Sequence, residues 1–169
     1  MLLINMFKKI FIILIATFIF AQYLGVSHGA SSDSSSDSGS DNYMDQYKSA
    51  KQFISRAEKL EKKDKIDRAN KLYVKALDKL QEAHKQDRNN PDILNYLGFT
   101  LRKTGKFEEA EKHYLAGLKI KPNHNGINEY LGELYVQTGR IELAKERLSV
   151  LKNCNCEEYA ELKEVIEKN

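Results

Sequence analysis

One helical pattern occurs twice in residues 91–158, at a fixed interval of thirty-four residues, and no other feature restricts the fold as much. Leu97-Gly98, Gly105, Ala110, Tyr114 and Pro122 mark the first copy. Leu131-Gly132, Gly139, Ala144 and Leu148 repeat those intervals in the second. A helical hairpin of this length cannot bury its apolar faces alone. It stacks on its neighbours, and the stack leaves a concave surface. The expected fold is therefore all-α, a solenoid of stacked antiparallel helix hairpins whose curved face is suited to holding something.

The apolar rhythm extends on both sides of the two copies. Tyr47, Phe53, Ile54, Ala57 and Leu60 keep helical spacing over residues 43–62, and residues 62–67 are polar enough to turn. Ile66, Ala69, Leu72, Tyr73, Ala76, Leu77, Leu80 and Ala83 mark a second helix over 66–86. Asn89-Asn90-Pro91 stops it and starts the next, since proline suits a first helical turn. Helices are expected over 91–104 and 107–120 across Gly105, then over 126–138 and 141–151 across Gly139. Residues 157–167 form a last helix with Tyr159, Leu162, Val165 and Ile166 on one side. A solenoid needs such a helix to close its open end. Gly98 and Gly132 are expected to let each first helix approach its hairpin partner.

The beginning of the chain reads as an export segment. Lys8 and Lys9 precede an apolar run over residues 10–21, and small residues at 25–30 lead into a polar stretch. The run is short for a membrane span, so residues 1–30 are expected to be a cleaved signal peptide. The alternative is a retained anchor in the inner membrane. Residues 31–42, all Ser, Asp, Gly and Asn, are expected to be a flexible linker. The helical domain then covers 43–169. Loss of Lys8 and Lys9 lowers the formal net charge from +3 to +1, and the remaining lysines alternate with Glu and Asp. That balance argues against tracking of nucleic-acid phosphates.

Little in the chain points to chemistry. Cys154 and Cys156 are the only cysteines. In an oxidising compartment they pair with one another in a small ring, or across a dimer. His84, His113 and His124 stand in separate segments, and no spacing joins them to the cysteines as metal ligands. No phosphate loop, zinc-protease motif or nucleophile elbow is present. The chain is expected to be non-enzymatic, with no metal and no cofactor.

With these residues in view, the sequence resembles the tetratricopeptide repeat family. The match runs through Leu94, Leu97-Gly98, Leu101, Gly105, Ala110, Tyr114, Gly117 and Pro122, then Asn128, Leu131-Gly132, Tyr135, Gly139, Ala144, Leu148 and Leu151. The resemblance implies a right-handed solenoid with repeats at 91–124 and 125–158 and a capping helix at 157–167. Counting back one interval adds a degenerate repeat at 57–90, in which Lys63-Asp64 replaces Leu-Gly. It also implies a groove lined by Asp92, Asn95, Phe99, Arg102 and Lys103, followed by Gly126, Glu129, Glu133, Val136 and Gln137. The residue set that grips a C-terminal carboxylate is incomplete, with only Asn95 and Lys103 in place. More narrowly, the chain is similar to small exported proteobacterial repeat proteins of unassigned function. That likeness implies the periplasm of a Gram-negative cell. The expected role is a protein-binding or scaffold module whose groove takes a peptide or helix. The alternatives are a redox accessory using Cys154 and Cys156, or a structural subunit of an envelope complex. Self-association is left open.

Overall fold

The computed structural model describes residues 38–169, with side chains from residue 43 onward. Seven helices make up this region, and it contains no strand. They are α1 (Ser38–Glu61), α2 (Ile66–Gln86), α3 (Pro91–Lys103), α4 (Phe107–Ile120), α5 (Asn125–Gln137), α6 (Ile141–Leu151) and α7 (Glu157–Glu167). They pair as the hairpins α1–α2, α3–α4 and α5–α6. Successive hairpins stack, and α7 packs on both α5 and α6. This is the expected all-α solenoid of hairpins with a closing helix. Among the described residues no helix is long and apolar enough to cross a membrane.

The signal segment expected at 1–30 lies outside the described residues, as does the linker as far as residue 37. Residues 38–42, expected in that linker, instead open α1. Ser, Asp and Asn are the residue types that favour a helix start, so a sequence too polar for a core can still begin a helix.

The core follows the apolar rhythm. Tyr73, Leu80, Ile93, Leu97, Leu101, Tyr114, Ile127, Leu131, Leu134, Leu151 and Leu162 are all essentially sealed from water. Leu97 and Leu131, which begin the two Leu-Gly pairs, both point inward.

All three hairpins close in the same way. The amide of Lys106 donates to the carbonyl of Leu101 and that of Gly105 to Arg102. Arg140 and Gly139 repeat the arrangement on Tyr135 and Val136, and Lys65 and Asp64 repeat it on Leu60 and Glu61. This paired bonding needs a left-handed residue at its centre. Gly105 and Gly139 supply it at φ 79° and 73°, and Asp64 takes it at 53°.

The position of Asp64 corrects the first repeat. Its unit is the α1–α2 hairpin, so the boundary expected at residue 57 falls inside a helix. Lys63-Asp64 forms the turn and does not occupy the Leu-Gly position. Ala57, Leu60, Asp64, Ala69, Tyr73 and Ala76 stand where Gly98, Leu101, Gly105, Ala110, Tyr114 and Gly117 stand one unit later. α2 has 21 residues against 14 in α4. The seven extra residues make roughly two helical turns, so the apolar face stays aligned while the simple thirty-four-residue count fails. Replacing Asp64 with glycine should relieve the left-handed conformation and raise stability by about 0.5 kcal/mol. A urea midpoint that falls instead would mean that the Asp64 side chain supports the turn.

The close approaches at glycine are only partly those expected. A Cβ on Gly98 would overlap the ring of Tyr114, as expected within the α3–α4 hairpin. A Cβ on Gly132 would instead overlap Leu162 of α7. The smaller Leu148 stands at the Tyr114 position in the last hairpin, and here α7 supplies the side chain that packs against the glycine.

Candidate functional site: the concave face

The first helix of each hairpin, together with α7, lines one cleft of about 400 Å³. Glu58, Glu61 and Lys62 come from α1 and its turn, Phe99, Arg102 and Lys103 from α3, Glu129, Tyr130 and Glu133 from α5, and Glu161 from α7.

Arg102 is the centre of this surface. Its side chain is only 4% exposed and bonds Glu133 at 2.6 Å. The guanidinium lies over the rings of Phe99 and Tyr130, at 5.6 and 5.7 Å from their centroids. Those two rings are 4.9 Å apart. Such stacking and pairing hold a planar cation in one orientation. The Nε of Arg102 is buried with no hydrogen-bond partner. A second pair borders the first: Lys103 bonds Glu61 at 2.7 Å, and the Tyr73 hydroxyl donates to the same carboxylate at 2.9 Å.

The α5–α7 side of the cleft is acidic. Glu129 is 2% exposed. Burial, then a hydrogen bond with Glu161, then the charges of Glu133, Glu161 and Glu158 push its carboxyl up to about 10. Burial likewise raises Glu58 above the ordinary carboxylate range.

The structure distributes the expected groove residues unevenly. Arg102, Lys103, Glu129, Glu133 and Phe99 line the cleft, although Phe99 is only 6% exposed and packs edge-on against Tyr73. Asn95 is buried beside Gly126, and its Oδ1 has no partner. Val136 is buried with the core, and Gln137 is exposed and does not border the cleft.

Asp92 has a structural role. Its carboxylate bonds His124 Nε2 at 3.0 Å, and His124 Nδ1 accepts the amide of Ile127 at 3.2 Å. That pairing makes Nε2 the protonated nitrogen, so His124 caps α5 and links it to α3. Asn90 caps α3 by accepting the amides of Asp92 and Ile93. Replacing His124 with alanine should cost about 1–2 kcal/mol. Replacement with asparagine should recover most of that, as read from urea midpoints. Equal losses in both variants would show that the cap contributes nothing.

Glu58, Glu61, Lys62, Tyr130 and Glu161 are cleft residues that sequence reasoning missed. Tyr130 immediately follows the expected Glu129. The others belong to α1 and α7, outside the two clear repeats. The alignment of Ala57 and Tyr73 with Gly98 and Tyr114 was the available signal for α1.

Away from the cleft, Cys154 and Cys156 are joined to one another in the turn before α7. Asn155 between them takes the left-handed region at φ 51°. His84 and His113, which no spacing joins, come together on α2 and α4 with ring centroids 5.9 Å apart. Among the described residues, no group of three or more metal-ligating side chains accompanies them.

Residues 67–128, from the start of α2 into α5, match the family model for the tetratricopeptide repeat. Among curated proteins none matches. Among solved structures, the type III secretion translocator chaperone SycD of Yersinia enterocolitica superposes with a TM-score of 0.49 at 17% identity, over 71% of this chain and 89% of that one. The second tetratricopeptide repeat domain of human RPAP3, solved with the HSP70 peptide SGPTIEEVD, gives 0.49 at 20% identity over 75% and 99%. PcrH, solved with the chaperone-binding region of PopD, gives 0.46 at 17% identity over 70% and 88%. The family match falls on helices that form hairpins with the same turn and stack in order, the arrangement that the tetratricopeptide repeat resemblance implies for residues 67–128.

Proposed function

We propose that this protein is a non-enzymatic binding module of the bacterial periplasm, whose concave face holds a helix or peptide of a partner protein. The observation that carries this reading is the cleft itself, lined by four helices with paired aromatic rings and a fixed arginine at its centre. Tyr130 offers a half-buried ring for an apolar side chain of the partner. The carboxylates of Glu58, Glu61, Glu133 and Glu161 outnumber the cations Lys62, Arg102 and Lys103 around the same space, where Glu129 keeps its proton, and they favour a neutral or basic segment over an acidic one. The export reading supports the periplasm and rests on Lys8-Lys9, the apolar run after them and the small residues that follow.

The test is capture of partners from an envelope extract, followed by crosslinking. Tyr130→Ala and Glu161→Gln change accessible cleft side chains and spare the buried Arg102. Each should weaken retention of the captured partner at least several-fold. If both variants retain the same partners as the native chain with equal strength, the concave face is not the binding surface.

A further inference from the structure

The two ends of the solenoid carry opposite charge. At the first hairpin, Arg56, Lys59 and Lys63 of α1 and its turn join Arg68 and Lys71 of α2 around Leu60 and Leu72, in a hollow of about 470 Å³. Acidic residues alternate with these cations in the sequence, but the helix sorts them. With about 100° between successive residues, Glu58 and Glu61 turn toward α3 and line the concave cleft. Arg56, Lys59 and Lys63 face the other way. Among the described residues none of the five cations takes part in an ion pair.

At the other end, Leu162 anchors α7 against Gly132 of α5. The opposite side of α7 exposes Glu157, Ala160 and Glu164, the last paired with Lys168, while the exposed Glu161 stands at the edge of the concave cleft. Beside it lies a second hollow, of about 460 Å³, bordered by Leu151, Lys152, Glu157, Tyr159 and Ala160.

The two stripes match in spacing as well as in sign. The cations are separated by three and then four residues, Arg56 and Lys59 on α1 and Lys63 in the turn that follows it. Read backwards along α7, the carboxylates are separated by three and then four residues, at 164, 161 and 157. Two antiparallel helices in this register set Arg56 against Glu164, Lys59 against Glu161 and Lys63 against Glu157. Leu60 then falls opposite Ala160. The α7 stripe is roughly 10 Å long at 1.5 Å per residue.

We propose that the basic end of one copy docks on α7 of a second copy, head to tail. Such a contact joins two different surfaces, so it propagates along a row of copies and does not close on itself as a dimer. It is predominantly electrostatic, and salt weakens it.

The test is sedimentation velocity on the native chain over a range of concentrations, at low salt and at high salt. The average mass should rise with concentration at low salt and return to that of the monomer at high salt. One variant carries Arg56→Glu, Lys59→Glu and Lys63→Glu, and another carries Glu157→Lys and Glu164→Lys. All these side chains are exposed, and circular dichroism should show native helix content in both. Each variant alone should stay monomeric, and mixing the two should restore association, because each supplies the surface the other lacks. The proposal is overturned if the native chain is monomeric at every concentration. Association that persists through either reversal or through high salt also overturns it. So does a monomer whose basic end binds only vesicles of anionic phospholipid.

Discussion

Replacing Arg102 with alanine should cost about 3–5 kcal/mol of folding stability, the usual result of removing one partner from a buried ion pair. The guanidinium is nearly sealed and bonds Glu133 at 2.6 Å. It also packs against both the Phe99 and the Tyr130 ring. Alanine would leave the Glu133 carboxylate, itself only 20% exposed, without its counter-charge, and would open a void beside the two aromatic rings. Removing both charges together should cost less. A double variant with leucine at 102 and 133 should recover a good part of the loss, because nothing charged is then left unpaired. Urea denaturation of the two single variants and the double variant measures the coupling. If Arg102→Ala costs under about 1 kcal/mol, the guanidinium contributes no more than an exposed surface pair does.

Glu129→Gln should act in the opposite direction and raise stability by on the order of 2 kcal/mol at pH 8. In the unfolded chain this carboxyl titrates in the ordinary carboxylate range. In the fold, burial first and then the hydrogen bond with Glu161 hold its proton well above that range. Across the window between the two, the folded chain keeps a proton that the unfolded chain has released. Stability attributable to Glu129 is therefore fully present below the ordinary carboxylate range and declines as pH rises toward the folded value. A glutamine keeps the shape and carries no proton to lose, so the alkaline decline should flatten.

His84 and His113 work from the acid side. Burial lowers both below the ordinary imidazole value, with Arg88 adding to the effect at His84 and His84 adding to it at His113. The unfolded chain then binds protons that the folded chain resists, so stability is lost as pH falls through that range. The native chain should be most stable at mildly acidic to neutral pH. Thermal melts from pH 4 to 9 on the native chain, Glu129→Gln and His84→Gln separate the two limbs. An alkaline limb unchanged in Glu129→Gln would show that this carboxyl is already ionised in the fold.

Gly98, Gly105, Ala110 and Tyr114 identified a hairpin unit because each type answers a local steric demand that any such hairpin makes. Where those demands recur at equal spacing, reading the chain suffices, as the second copy through Gly132, Gly139 and Ala144 shows. Asp64 defeated the count, because a helix lengthened by two turns keeps its buried face while shifting every position by seven. Asp92 and Val136 were misread for another reason. Position within a repeat says which way a side chain sets out, and does not say what it meets. Asp92 meets His124, and Val136 is enclosed by the core.

What the amino-acid order determined by itself is the hairpin, its turn glycines, its sealed leucines and the need to stack, since these follow from contacts a few residues apart. Only the tertiary structure decided which charges pair, which stay unpaired and which lose their ionisation. Arg102 and Glu133 lie on different helices, as do Glu129 and Glu161. Those outcomes depend on distance and burial across the stack, which no interval along the chain encodes.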